Sequence, residues 1–306
     1  MDMSNEKKHR VAVVGCGNVG TFAAQAILAS GDLELAGIVR RPESLCLSVP
    51  PELRDTPVVA SIESLDQVEV ACLAVPTRQV PKYAEEILSL GINTVDSYDI
   101  HRELIHVKKT LDRVAREAGS VAVIAAGWDP GTDSLIRVML EIMAPSGITY
   151  TNFGPGLSMG HTTAVRAVPG VKDAISMTYP KGQGVHRRMV YVELDEGAEF
   201  DSVREAIITD PYFSNDETVV TCTDSVSSLK DLGHGVMIER KGVSGISSNQ
   251  RFRFEMSINN PALTGQIMVG AIRAGLKQSP GAYTLPELPL IDFLQGDRDC
   301  LLARLV

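Results

Sequence analysis

Residues 10–20 read Arg-Val-Ala-Val-Val-Gly-Cys-Gly-Asn-Val-Gly, and this stretch decides the fold. An apolar run from Arg10 to Val14 breaks at Gly15, and an apolar stripe at helical spacing follows from Val19 to Ser30, where Gly31 stops it. The pattern is G-x-G-x-x-G between a strand and a helix, and that context gives the motif its meaning. Gly15 permits the tight turn, Gly17 lets a pyrophosphate approach bare backbone, and Gly20 lets helix and strand pack closely. The amides of Asn18 and Val19 then meet the phosphates at the positive end of the helix dipole. A glycine-rich turn without a ligand is the alternative reading.

Working outward, Leu33 to Val39 reads as a second buried strand, with a weak strand at Val58 to Ala60 and another apolar run from Val68 to Val75. Helices are expected at Val80 to Leu90 and His101 to Ala118, with strands at Thr94 to Asp96 and Val121 to Ala126. Strands alternating with helices predict a parallel sheet covered on both faces. After Gly127 the texture changes. A helix over Asp133 to Met143 leads into strands at Thr149 to Asn152, Ala174 to Tyr179, Arg188 to Leu194, Val219 to Thr223, Gly235 to Lys241 and Arg251 to Ile258. Helices at Ser202 to Thr209 and Ala262 to Leu276 interrupt them. The expected organisation is α/β: a Rossmann dinucleotide-binding domain over 1–126, with 261–306 packing back on it, and an α+β domain over 127–260.

The end of the second strand selects the cofactor. An NAD site places an acidic residue there for the ribose 2′-hydroxyl. This chain has Arg40-Arg41, and a guanidinium grips a 2′-phosphate with two parallel bonds. NADP is therefore expected, against the alternative of a solvated arginine pair. Pro76-Thr77-Arg78 and Asp96-Ser97-Tyr98 follow later strands, on the sheet edge where ligands collect, and complete the candidate cofactor set.

Composition narrows the partners. With 306 residues, 44% hydrophobic and 22% charged, the chain has a globular balance. A net charge of -9 argues against a nucleic-acid partner, which needs a basic patch. The five cysteines are odd in number and lack a C-x-x-C pair, which suits a reducing cytoplasm. The polar opening, MDMSNEKKHR, has no signal-peptide core, and no apolar run is long enough to predict a membrane span. The six histidines show no H-x-x-x-H or H-x-H spacing, so no metal is expected.

Two aspartates, Asp99 and Asp129, follow predicted strands and could hold an ammonium and accept its proton. Asp129 before Pro130 equally suits a helix N-cap. Trp128 beside it is the single tryptophan, able to wall a pocket or fill a core. The clusters Phe153-Gly154-Pro155-Gly156 and Ser158-Met159-Gly160-His161 expose backbone amides suited to a carboxylate. Thr178, Arg188, His234 and Asn260 are isolated polar residues near strands, and His186-Arg187-Arg188 leaves open which arginine faces inward.

The segments VAVVGCGNVG, VRR, VPT, VDSYDIH, AGWDPGTDS, TNFGPGLSMGH, VYVELD, GHGVMIERKG and FRFEMSINNPALT together resemble the meso-diaminopimelate dehydrogenases, in their shorter branch. The resemblance runs nearly end to end. It implies NADP as cofactor, a second domain for substrate and homodimerisation, and oxidative deamination of the D centre of meso-2,6-diaminopimelate in lysine biosynthesis. It implies that Asp99 and Asp129 face the reacting amino group. Trp128, Phe153, Met159 and Gly160 would line the D-centre pocket, and Thr178, Arg188, His234 and Asn260 would hold the L centre. Another NADP-dependent amino-acid dehydrogenase, an imine reductase and a non-catalytic NADP-binding redox sensor are the competing readings.

Overall fold

The computed structural model describes residues 8–229 and 233–306. The polar opening segment, residues 1–7, lies outside the described residues. The chain divides into two compact units, one of residues 1–135 and 261–306 and one of residues 136–260.

The first unit holds β1 (His9–Val14), α1 (Asn18–Leu28), β2 (Leu33–Val39), β3 (Val58–Val59), β4 (Val70–Leu73), α2 (Val80–Ser89), β5 (Asn93–Asp96), α3 (Leu104–Ala118) and β6 (Val121–Ile124). α4 (Thr132–Met143) runs across the boundary between the units. The second unit holds β7 (Ser146–Phe153), β8 (Gly156–Leu157), α5 (Met159–Arg166), β9 (Val171–Gly182), β10 (Val185–Leu194), α6 (Phe200–Thr209), β11 (Glu217–Cys222), β12 (Gly233–Ser244) and β13 (Ser247–Asn259). The chain then returns through α7 (Asn260–Gly275), β14 (Gly281–Thr284) and α8 (Arg298–Leu305).

The first unit is a seven-stranded sheet in the order β14-β6-β5-β4-β1-β2-β3, parallel throughout. Period-2 alternation in β1 shows why it is buried twice over. Val11 and Val13 join a core with Ala23, Ala24 and Ile27 of α1 and Met268, Val269 and Ile272 of α7. Ala12 and Val14 join the opposite core, with Ala84, Ile87 and Leu88 of α2 and Val107, Leu111 and Ala115 of α3. Strand order reverses at β1, which opens a crevice for ligands at the carboxyl ends of β1 and its neighbours.

The second unit has a mixed sheet, β11-β10-β9-β8, and an antiparallel one, β13-β12-β7. Val190 and Val192 of β10 pack with Val165 of α5 and with Val203 and Ile207 of α6. Two differences from the sequence reading bear on function. The Ser158-Met159-Gly160-His161 cluster is the start of a helix, α5, rather than an open glycine loop. The expected helix from His101 begins instead at Leu104, because residues 100–103 form a turn in which Glu103 N–H bonds Ile100 C=O at 3.1 Å.

Candidate active site

The glycine motif behaves as three different residues. Gly15 has φ of +95°, and a Cβ there would lie 2.4 Å from the Ala74 carbonyl oxygen. A Cβ on Gly20 would lie 2.2 Å from the Gly15 oxygen. Both glycines are therefore demanded by the protein itself. Gly17 is not: a Cβ there would meet nothing within 4 Å. It is exposed at the N-cap of α1, where no side chain caps the helix and no acid stands in the first turn. The residue is bare on an open side, where a ligand can approach the backbone. The amides of Asn18 and Val19 follow it, so this loop fits a pyrophosphate.

The arginine pair is divided. Arg40 Nη1 donates to the Leu47 carbonyl at 2.6 Å, folding the guanidinium onto the loop after β2. Arg41 projects outward, its side chain 67% exposed, with Glu43 at 3.4 Å. Pro76, Thr77 and Arg78 follow β4, and Thr77 Oγ1 accepts the Asp99 N–H at 3.2 Å.

Burial closes the side chains of Asp96 and Tyr98 off from solvent, so only their backbone could face a cofactor. Asp96 is 0% and Tyr98 1% exposed. Asp96 Oδ1 instead accepts Tyr98 N–H at 2.9 Å and Ala125 N–H at 3.1 Å, and its carbonyl accepts Ala126 N–H at 2.7 Å. Tyr98 Oη donates to Glu103 at 3.0 Å. Burial pushes the Asp96 carboxyl up to about 6. Half-buried Ser97 lies between them.

What Asp96 builds is the turn that carries the other aspartate. Ala125 is held at φ of +58°, a conformation unfavourable for a residue with a Cβ. The chain then turns through Gly127-Trp128-Asp129-Pro130. Gly127 N–H bonds the Pro130 carbonyl at 3.2 Å, and Asp133 N–H bonds that of Trp128 at 3.0 Å. Since α4 begins only at Thr132, Asp129 is not its N-cap. Its side chain is 12% exposed, with Oδ2 3.8 Å from His101 Nε2. Trp128 is buried and Asp99 is exposed.

In the second unit, strand register settles which arginine faces inward. Arg188 pairs with Thr178 across β10 and β9. Its Nε donates to Asp216 Oδ2 at 2.7 Å, its Nη1 donates to Thr178 Oγ1, and only 11% of the side chain is exposed. Arg187, one residue earlier, points to the other face and pairs with Glu217 at 2.8 Å. His186 shares the face of Arg188, and its Nε2 accepts the Phe153 N–H at 2.8 Å. His161 bonds Ser158 Oγ through Nδ1 at 2.8 Å and the Tyr212 carbonyl through Nε2 at 2.9 Å. The carbonyl can only accept, so Nε2 carries the proton and Ser158 donates to Nδ1.

Burial, reinforced by the Arg188 charge, brings His161 down to about 4 and lowers His186. Burial first, and then the Arg188 charge, also bring His234 to about 4, against an opposing backbone bond to Gly235. One cation thus stands among imidazoles held neutral at physiological pH, which suits reception of a carboxylate. Met159 and Gly160 open α5 behind Ser158, and Asn260 opens α7.

Sequence reasoning missed Asp216, 28 positions from the arginine it orients, and gave no role to His101 or His161. His101 and His161 carried a signal, as the last residues of VDSYDIH and TNFGPGLSMGH; Asp216 carried none. Among the described residues, no group of three or more His, Cys, Asp or Glu could hold a metal, and no helix is long and apolar enough to cross a membrane.

A doubly wound sheet with a bare glycine cradle, joined to an α+β unit with a buried arginine, defines a Rossmann-type oxidoreductase. Residues 9–97 match the oxidoreductase family with an NAD-binding Rossmann fold, and residues 127–260 match the diaminopimelic acid dehydrogenase C-terminal domain. The chain is 55% identical over 300 residues to the meso-diaminopimelate D-dehydrogenase of Bacteroides fragilis, covering 98% of this chain and all of that one. The Corynebacterium glutamicum enzyme of the same name is 31% identical, with 96% of this chain and 98% of that one covered. A C. glutamicum DAP dehydrogenase solved in complex with DAP superposes with a TM-score of 0.86 at 29% identity, covering 98% of this chain and 100% of that one. An engineered D-amino acid dehydrogenase bound to NADP+ superposes with a TM-score of 0.84 at 28% identity, over the same shares of the two chains. The chain belongs to the meso-diaminopimelate D-dehydrogenase family.

Proposed function

We propose that this protein catalyses the reversible, NADP-dependent oxidative deamination of the D centre of meso-2,6-diaminopimelate, giving L-2-amino-6-oxopimelate and ammonia, in lysine biosynthesis. The observation that carries the reading is Arg188, nearly buried and oriented by Asp216 and Thr178 among neutral histidines. A redox sensor has no need of such an anion receptor.

In this scheme Arg188 takes the carboxylate at the non-reacting end, with Thr178, His234 and Asn260 around it. Phe153, Met159, Gly160 and Trp128 shape the pocket for the D centre. Asp129 and Asp99 hold the reacting ammonium, and Asp129 receives its proton. The bound nicotinamide supplies the two-electron acceptor for the Cα hydrogen. The protein's part is to fix which end of a symmetric-looking diacid reacts. The exposed Arg41 and the loop-bound Arg40 support NADP over NAD, because no acid stands at the end of β2 for a free ribose hydroxyl.

A homodimer formed through the second unit belongs to the same proposal. Val138, Met139, Ile142 and Met143 of α4 are 39–67% exposed, an apolar surface that suits a partner subunit. A cytoplasmic location completes the reading.

NADPH oxidation with tetrahydrodipicolinate, measured with and without ammonia, tests the proposal. Strict dependence on ammonia is the expected result. Oxidation at full rate without ammonia would instead identify an imine reductase.

A further inference from the structure

The deamination releases one proton per turnover. The ammonium must lose a proton before its nitrogen lone pair can form the C=N bond as the Cα–H electron pair leaves for the nicotinamide. Water then adds to carbon and the nitrogen departs as ammonium, so the first proton is the one left over. If Asp129 receives it, the carboxylate must be cleared before the next cycle. Its side chain is only 12% exposed, so solvent reaches it poorly.

His101 stands beside it. Nε2 lies 3.8 Å from Asp129 Oδ2, and 59% of the His101 side chain is open to solvent. Both groups sit on turns fixed by Asp96, His101 on the one after β5 and Asp129 on the one after β6. The other charged groups nearest His101 in sequence are Asp99, Arg102 and Glu103. Glu103 is engaged by Tyr98 Oη, and the Asp99 amide is held by Thr77. An imidazole can accept a proton at one nitrogen and release one from the other.

We infer that His101 is the proton outlet of the active site, taking the proton from Asp129 and delivering it to solvent after each turnover. The inference rests on Asp129 as the proton acceptor in the proposed reaction. Oxidation consumes only the Asp129 carboxylate in the first cycle, so loss of the outlet slows the cycles that follow and not the first.

The test is stopped-flow oxidation of meso-diaminopimelate by the NADP-loaded enzyme, with NADPH absorbance and a pH-indicator dye followed together in weak buffer. In the wild type, proton and NADPH appear in step. In His101→Asn, one equivalent of NADPH per site should form at the wild-type rate while proton release lags. The steady state should then fall roughly tenfold or more and recover with added imidazole. A slowed first turnover with no imidazole rescue, or an unchanged steady state with protons still in step, overturns the outlet. Asp129→Asn separates this from the parent reading. It should abolish the first-turnover burst, and a normal burst in that variant would remove Asp129 itself.

Discussion

Replacing Asp96 with Asn should make the protein's stability advantage depend on pH in a calculable way. The Asp96 carboxyl is fully buried, and its folded value near 6 compares with 3.8 for the free group. The sign follows from the protonated form being favoured inside the fold. Its contribution to stability is fully present below 3.8 and is lost as pH rises through 6. The difference of roughly two units corresponds to about 3 kcal/mol. Asn keeps one carbonyl oxygen for the Tyr98 and Ala125 amides and never ionises. It does place an amide donor where Asp96 Oδ2 now has no hydrogen-bond partner, a cost of about 1–3 kcal/mol that is independent of pH. Urea unfolding of the two proteins between pH 4 and 8 isolates the effect, because all other titrations cancel in the difference. The variant should gain about 2 kcal/mol on the wild type between pH 4 and 6.5 and almost nothing further above that. A difference that stays flat across the range would refute the burial argument, and with it the view of Asp96 as a support for the Ala125 turn.

Three further outcomes follow from the geometry. Gly17→Ala should leave the melting temperature nearly unchanged but weaken dinucleotide binding roughly ten- to hundredfold, about one charge-assisted hydrogen bond. Gly20→Ala should destabilise the fold by about 1–3 kcal/mol or more, since its Cβ has no room; calorimetry and fluorescence titration separate the pair. Arg188→Ala should raise KM for meso-diaminopimelate by an amount worth about 2–5 kcal/mol while leaving NADPH binding intact, measured by steady-state kinetics and by titration. Arg41→Asp should weaken NADP much more than NAD, whereas Arg40→Asp should weaken both by releasing the loop it holds; competitive titration with the two dinucleotides checks this.

Much of the first unit was legible because its signals are local. An apolar strand, a glycine turn and an amphipathic helix each announce themselves within about a dozen residues, and β2 falls on Leu33–Val39 as read. Strand β14 escaped notice because Gly281–Thr284 reads Gly-Ala-Tyr-Thr and lacks the apolar run that marks the equally short β4 and β6. Helix α5 was hidden by Gly160, which weakens the helical pattern near its start. At the site, residue types pointed to Asp129 and Arg188, but not to what orients them. Asp216 and His161 act across strand pairings or tertiary contacts that no sequence spacing encodes. The inward face of Arg188 required the β9–β10 register, since a slip of one residue would have turned Arg187 in instead. The bracing role of Asp96 was hidden for a related reason: its side chain turns back onto the Tyr98 and Ala125 amides, a contact that no sequence spacing encodes.

In the proposed reaction, Arg188 receives the carboxylate of the distal L centre, and that end-to-end choice brings the D centre to the nicotinamide. Parallel NADP-reduction assays with the meso, LL and DD isomers of diaminopimelate test it most directly. Reduction should be fast with meso, slower with DD, whose distal centre has the wrong hand, and absent with LL. Turnover of the LL isomer at a rate comparable with meso would contradict it.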